Sequence, residues 1–238
     1  MERVLVMDRG NSRLKLGYFL NGSLQEVQVF ENLLIAENYI SNLKVDVVCG
    51  ADVQGQEIPS FLKNYFPINF RENLPIAVDY SSITTLGQDR IANAVALAFE
   101  YPNKNALAID AGTCITYDML TKGKIFVGGA ISAGLEMRLK AMHHFTGKLP
   151  RLAWEKPSED FPYKSSSTNM LGASYDGIIA EIEYYLNEIQ IQYPGTLAVI
   201  TGGDANTLQK GLKSDIFADP NLTLKGIFNI FKYQYAQL

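Results

Sequence analysis

"VLVMDRGNSRLKLGYFLNGSL" occupies Val4–Leu24, and "ALAIDAGTCITYDMLTKGKI" occupies Ala106–Ile125. Each begins with an apolar run, reaches an Asp, turns on a Gly followed by a small polar residue, and then alternates. Asp8, Gly10 and Asn11 of the first stretch correspond to Asp110, Gly112 and Thr113 of the second. In the first stretch, Leu14, Leu16 and Tyr18 recur with the period of two that marks a half-buried strand. Asn21-Gly22 is a strong signal for a tight hairpin, and a third strand is expected through Val27 and Val29. The second stretch repeats this order, with a turn at Lys122-Gly123 and a strand through Ile125–Val127. An Asp closing an apolar strand before a Gly turn presents a carboxylate beside backbone N–H groups. Such N–H groups suit phosphate oxygens, and the carboxylate suits a cation.

After each copy the pattern changes to alternating helices and strands. In the first half a helix is expected around Leu33–Leu43, then a buried strand in "VDVVCG" and a helix near Ile58–Tyr65. Short strands near Ile68 and Ile76–Val78 follow, and then a helix with Ile91, Ala94, Val95 and Ala98 on one face. In the second half "GLEMRLKAMHHF" reads as a helix, and a long polar loop precedes another helix from about Asn169. The strand "TLAVIT" runs into Gly202-Gly203, and a helix near Leu224–Tyr235 ends the chain. Two halves built this way imply an α/β protein of two related domains, 1–105 and 106–238, with the last helix able to pack back on the first.

Composition narrows the function. The 238 residues carry 21 Lys and Arg against 25 Asp and Glu, a net charge of −4 without basic clusters, which argues against nucleic acid or an anionic membrane as partner. No apolar run reaches the length of a membrane span, and no secretory leader is expected. Two cysteines, Cys49 and Cys114, cannot form a disulfide framework and read as small core residues, which makes the cytoplasm the natural compartment. His143 and His144 are the only histidines, and neighbours on a helix diverge by about 100°, so they do not converge on one metal. The aromatic and Met residues of "AMHHF" and "NYF" read as packing, and Ser165–Ser167 as loop.

The paired Asp-x-Gly loops and the later strand–Gly-Gly resemble the two phosphate motifs and the adenosine motif of the superfamily of sugar kinases, Hsp70 and actin. Within it, "DRGNS" at Asp8–Ser12, "GQDR" at Gly87–Arg90, "DAGTCITYD" at Asp110–Asp118, "GGAISAG" at Gly128–Gly134 and "TGGDA" at Thr201–Ala205 resemble type III pantothenate kinase. The markers occur in order along nearly the whole chain. Arg9 and Ser12 stand where a small residue and Thr are usual, Gln88 where Ala is usual, and Ala133 where Pro is typical. None of these departures removes a group that the chemistry needs.

The resemblance implies two ribonuclease-H-like domains, each opening with a three-stranded antiparallel meander, with a nucleotide cleft between them. It implies ATP-dependent phosphorylation of pantothenate, the first step towards coenzyme A, by a homodimer. For ATP it implies Asp8, Arg9, Gly10, Asn11, Ser12, Arg13, Leu14 and Lys15, with Gly112, Thr113, Gly202 and Gly203. Asp8 would organise Mg²⁺ through water, and Asp110 would hold a monovalent cation, K⁺ or NH₄⁺. Lys15 reads equally as a solvated strand residue. For pantothenate it implies Tyr80, Gly87, Gln88, Asp89, Arg90 and Thr168, although strand-end aromatic and helix cap are the plain readings of Tyr80 and Thr168. Asp89 is the candidate base for the attacking hydroxyl, its plain role being a charge at a helix N-terminus. Arg90 presents a fork suited to a carboxylate. Two other classes remain open: a non-catalytic, nucleotide-binding transcriptional regulator and a conformational switch of the Hsp70 or actin type. The helix faces at Ile91–Ala98 and Leu135–Phe145 are candidates for subunit contact.

Overall fold

A computed structural model describes residues 2–10, 13–52, 61–62 and 64–237. The first half contains β1 (Arg3–Arg9), β2 (Leu14–Leu20), β3 (Ser23–Phe30), α1 (Leu33–Asn42), β4 (Val47–Asp52), β5 (Tyr65–Phe66), β6 (Ala77–Val78) and α2 (Gln88–Glu100). The second contains β7 (Ala106–Ala111), β8 (Cys114–Leu120), β9 (Ile125–Ala133), α3 (Leu135–His144), α4 (Ser166–Gln192), β10 (Leu197–Thr201), α5 (Ala205–Gln209), β11 (Phe217–Ala218) and α6 (Leu222–Tyr235).

The internal repeat is visible in the strand orders. One sheet runs β3-β2-β1-β4-β5, and the other runs β9-β8-β7-β10-β11 with β6 added beyond β9. In the first, β2 is antiparallel to both β1 and β3, while β4 is parallel to β1 and β5. In the second, β10 is likewise parallel to β7 and β11. Asp8 and Asp110 are each the penultimate residue of the strand at the centre of this pattern. Asp8 lies opposite Lys15 of β2 and Ala51 of β4; Asp110 lies opposite Thr201 of β10. The fold is α/β, two related ribonuclease-H-like domains, each opening on a meander.

By contacts the chain forms two compact units. One comprises Met1–Lys104, Asp118–Gly128 and Asn221–Leu238; the other comprises Asn105–Tyr117 and Gly129–Pro220. In the first unit, Asn21 (φ 49°) and Gly22 (φ 86°) make the tight turn between β2 and β3 that "NG" announces. Leu5, Met7, Leu14 and Leu16 meet Leu33, Ala36 and Ile40 of α1 in one apolar cluster. Helix α6 crosses α2 at backbone range, because any side chain on Gly226 would overlap the Ala92 carbonyl. Beside that crossing Thr223 Oγ1 donates to Asn93 Oδ1 at 2.9 Å, and Phe228 stacks on Phe19 with ring centroids 4.2 Å apart.

Several local expectations change. Every residue from Ile91 to Ala98 is buried within the first unit, so this face of α2 is core and not a subunit contact. Of the helix expected near Ile58–Tyr65, residues 58–60 and 63 lie outside the described residues, 61, 62 and 64 are not helical, and Tyr65 opens β5. Helix α4 begins at Ser166, three residues earlier than expected. Ser165 accepts from Thr168 N–H, and the Thr168 hydroxyl accepts from Ser165 N–H, a reciprocal cap that draws the serines into a helix start. Cys49 is buried, and burial pushes its thiol pKa up, whereas Cys114 is only half-buried because it opens β8 beside the Gly112–Thr113 bend.

Candidate active site

In the second unit the Asp-x-Gly turn and the Gly-Gly turn meet. Gly202 has φ +93°, a conformation that favours Gly, and a side chain there would overlap the Ala111 carbonyl and crowd Asp110 Oδ1. Asp204 N–H donates to the Ala111 carbonyl at 2.9 Å and locks the two turns together. Gly112 N–H closes onto the Cys114 carbonyl at 3.0 Å, so Gly112 makes the bend. The hydroxyl of Thr113 is exposed and carries no hydrogen bond among the described residues. A carboxylate and backbone carbonyls in one turn are the hard oxygen donors that alkali and alkaline-earth ions take.

Gly134, the last residue of "GGAISAG", belongs to the same assembly. Its N–H donates to the Thr113 carbonyl at 3.1 Å, and a Cβ on it would overlap the Gly112 carbonyl. In sequence this glycine only ends "GGAISAG" and starts the helical stretch "GLEMRLKAMHHF", with no role of its own. Gly134→Ala is expected to lower stability by about 1–3 kcal/mol, because backbone must move to admit the methyl. A thermal melt should show a fall of roughly 2–10 °C, and an unchanged melt would contradict the close approach.

In the first unit Asp8, Arg9 and Gly10 close β1, and Gly10 N–H donates to the Arg13 carbonyl at 3.1 Å. Asn11 and Ser12 lie outside the described residues. Leu14 is 1% exposed, so only its backbone is available to a ligand. Lys15 is half-buried on β2.

The "GQDR" motif opens α2, with Gly87 as its N-cap and Gln88 as its first residue. Asp89 is half-buried; one of its oxygens accepts Arg90 N–H at 2.9 Å, and the other has no hydrogen bond among the described residues. Arg90 is 4% exposed and paired with Asp118, which is fully buried. Both Nε (2.7 Å) and Nη2 (2.6 Å) converge on Asp118 Oδ1. Nε is aligned for a hydrogen bond, and Nη2 contributes to the ion pair from outside hydrogen-bond alignment. The guanidinium carbon lies 5.8 Å from the ring centroids of both Tyr80 and Phe126. Tyr80, Asp89 and Arg90 are therefore brought together. Thr168 lies in the second unit, where its hydroxyl donates to Glu159 at 2.7 Å.

Asp118 was missed as a functional residue. Its signal in the sequence is a charge within the apolar strand "CITYDML", which a chain buries only with a partner.

The model of the type III pantothenate kinase family matches residues 4–188. The chain belongs to that family. Among curated type III pantothenate kinases, that of Flavobacterium psychrophilum is 33% identical over 240 residues, covering 97% of this chain and 99% of the relative. That of Cytophaga hutchinsonii is 36% identical over 232 residues, covering 96% and 98%. Two solved structures share the fold at low identity. A conserved Baf family protein of Campylobacter jejuni, titled a transcriptional activator, has a TM-score of 0.64 at 21% identity, covering 98% of this chain and all of that one. Component A of the (R)-2-hydroxyglutaryl-CoA dehydratase of Acidaminococcus fermentans has a TM-score of 0.59 at 12% identity, covering both chains fully. Within this type III pantothenate kinase chain, no helix among the described residues is long and apolar enough to cross a membrane.

Proposed function

We propose that this chain is an ATP-dependent kinase that phosphorylates the primary hydroxyl of pantothenate, the first step towards coenzyme A. Membership of the type III pantothenate kinase family supports the reading. Its carrying observation in the geometry is Arg90, a buried guanidinium held by Asp118 one residue from a carboxylate. That pairing suits a substrate bearing both an acid and an alcohol.

Arg90 receives the substrate carboxylate, held in place by Asp118 and the rings of Tyr80 and Phe126. Asp89 takes the hydroxyl proton on its second oxygen, while its bond to Arg90 N–H orients the first. The resemblance assigns Gly112 and Thr113, and residues 10–15, to the phosphates, and Gly202 and Gly203 to the adenosine part of the nucleotide. The family resemblance also assigns Thr168 to pantothenate. Asp8 organises Mg²⁺ through water, and Asp110 with its neighbouring carbonyls holds K⁺ or NH₄⁺. These ions supply neutralising charge for the phosphates, and phosphoryl transfer asks a protein chiefly for such neutralisation and for positioning.

A panel of acceptor alcohols with γ-labelled ATP tests the reading. Label should pass to pantothenate, and the rate should be high in K⁺ or NH₄⁺ and low in Na⁺ alone. Transfer to water only would refute the kinase assignment, and equal rates in all three salts would remove Asp110 from a cation site.

The kinase works in the cytoplasm as a homodimer. Buried, unpaired Cys49 suits a reducing compartment. Phe145, at the end of the Leu135–Phe145 stretch that is a candidate for subunit contact, stands 83% exposed. Light scattering should return about twice the 26.4 kDa chain mass. An active species at the monomer mass would overturn the dimer.

A further inference from the structure

Glu181 of α4 gathers three other elements around one carboxylate. Its Oε2 accepts Arg138 Nη2 of α3 at 2.5 Å, and its Oε1 accepts the Tyr117 hydroxyl of β8 at 2.8 Å. The Ser132 hydroxyl of β9 also donates to Oε1. Arg138 in turn donates from Nε to the Ala133 carbonyl at 2.9 Å, and its backbone N–H reaches the Gly134 carbonyl at 3.0 Å. Ser132 and Ala133 are thus tied to the Glu181–Arg138 side-chain pair, and Gly134, next in the chain, accepts the first backbone bond of α3 from Arg138. Gly134 is the residue whose N–H holds the Thr113 carbonyl and whose bare α-carbon lies against Gly112.

We infer that Glu181 and Arg138 act as a clamp that positions the Gly112–Thr113 turn for the nucleotide phosphates. The inference rests on the reading of that turn as phosphate-binding. The two side chains are each 23% exposed, so the ion pair alone contributes little stability in partly solvated surroundings. Its effect is geometric. The rigid guanidinium fork spends Nη2 on Glu181 and Nε on the Ala133 carbonyl at once, which the single ammonium of lysine cannot reproduce. Burial, followed by the Glu181 bond, pushes the Tyr117 hydroxyl pKa upward, so the hydroxyl stays protonated and donating at neutral pH. Glu181 and Arg138 touch no substrate in this scheme; both are positioning residues.

Titration calorimetry with Mg·ADP, alongside KM values for ATP and pantothenate, tests the clamp. Glu181→Gln and Arg138→Lys should each weaken Mg·ADP binding at least about tenfold, since a small displacement at a phosphate site carries a large penalty. KM for ATP should rise in step, and KM for pantothenate should stay within about twofold. Arg138→Lys is the milder change and serves if Glu181→Gln folds poorly. ADP affinity within about twofold of the unmodified protein in Arg138→Lys would overturn the clamp, whatever happens to the melting temperature. A parallel loss of ADP and pantothenate affinity would also overturn it, because it reports general loosening. Failure of the unmodified protein to bind Mg·ADP would instead remove the phosphate reading, and the clamp with it.

Discussion

Asp89→Asn is expected to lower kcat by roughly 10²–10⁴, the usual contribution of general acid–base catalysis. The amide keeps the shape of the side chain, and its oxygen still accepts Arg90 N–H, which lies 2.9 Å from the carboxylate here. What it loses is the second oxygen as a proton acceptor. KM for ATP should move little, because the phosphates are assigned to other turns. A loose phosphoryl-transfer transition state shifts proton removal late and places the loss towards the lower end of that range. A loss of less than about tenfold would reassign Asp89 to orienting the hydroxyl. Unchanged turnover in folded Asp89→Asn would remove it from the site.

The second large effect belongs to Asp118. Asp118→Ala should destabilise the protein by about 3–5 kcal/mol, because it leaves the Arg90 charge buried without its partner. Asp118 is fully buried and Arg90 is 4% exposed, so little water can take the place of the Asp118 carboxylate. Denaturant unfolding measures the loss. Removing both charges, as in Asp118→Leu with Arg90→Met, should recover much of it, since apolar replacements of a buried pair are often neutral or stabilising. The recovered double variant should still fail to bind pantothenate, with KM raised at least about 100-fold, because the carboxylate receptor is gone. A destabilisation below about 1 kcal/mol in Asp118→Ala would show that water or another group takes the place of the carboxylate. Normal pantothenate binding in the double variant would move the acid's receptor elsewhere.

Much of this protein was legible in the sequence because the relevant information is local. Period-two alternation in "RLKLGYFL" and the Asn21-Gly22 turn suffice for β2, β3 and their hairpin, since side-chain direction and turn geometry depend on neighbouring residues. The duplicated Asp-x-Gly turns put Asp8 and Asp110 at equivalent strand ends, and the paired sheet orders agree with that repeat. Gly87–Arg90 announced the start of α2 in the same way. Tertiary structure alone decided what each exposed-looking charge or apolar face meets. The face from Ile91 to Ala98 reads equally as core or interface, and only the crossing of α6 over α2 makes it core. Arg90 finds Asp118 28 residues away, and Glu181 gathers Arg138, Ser132 and Tyr117 from 43, 49 and 64 residues away. No periodicity links such residues, because a hydrogen bond between distant segments leaves no trace in the spacing along either one. Burial then sets what breaking them costs, since losing one partner of an ion pair matters little in water and much where the other charge is left buried.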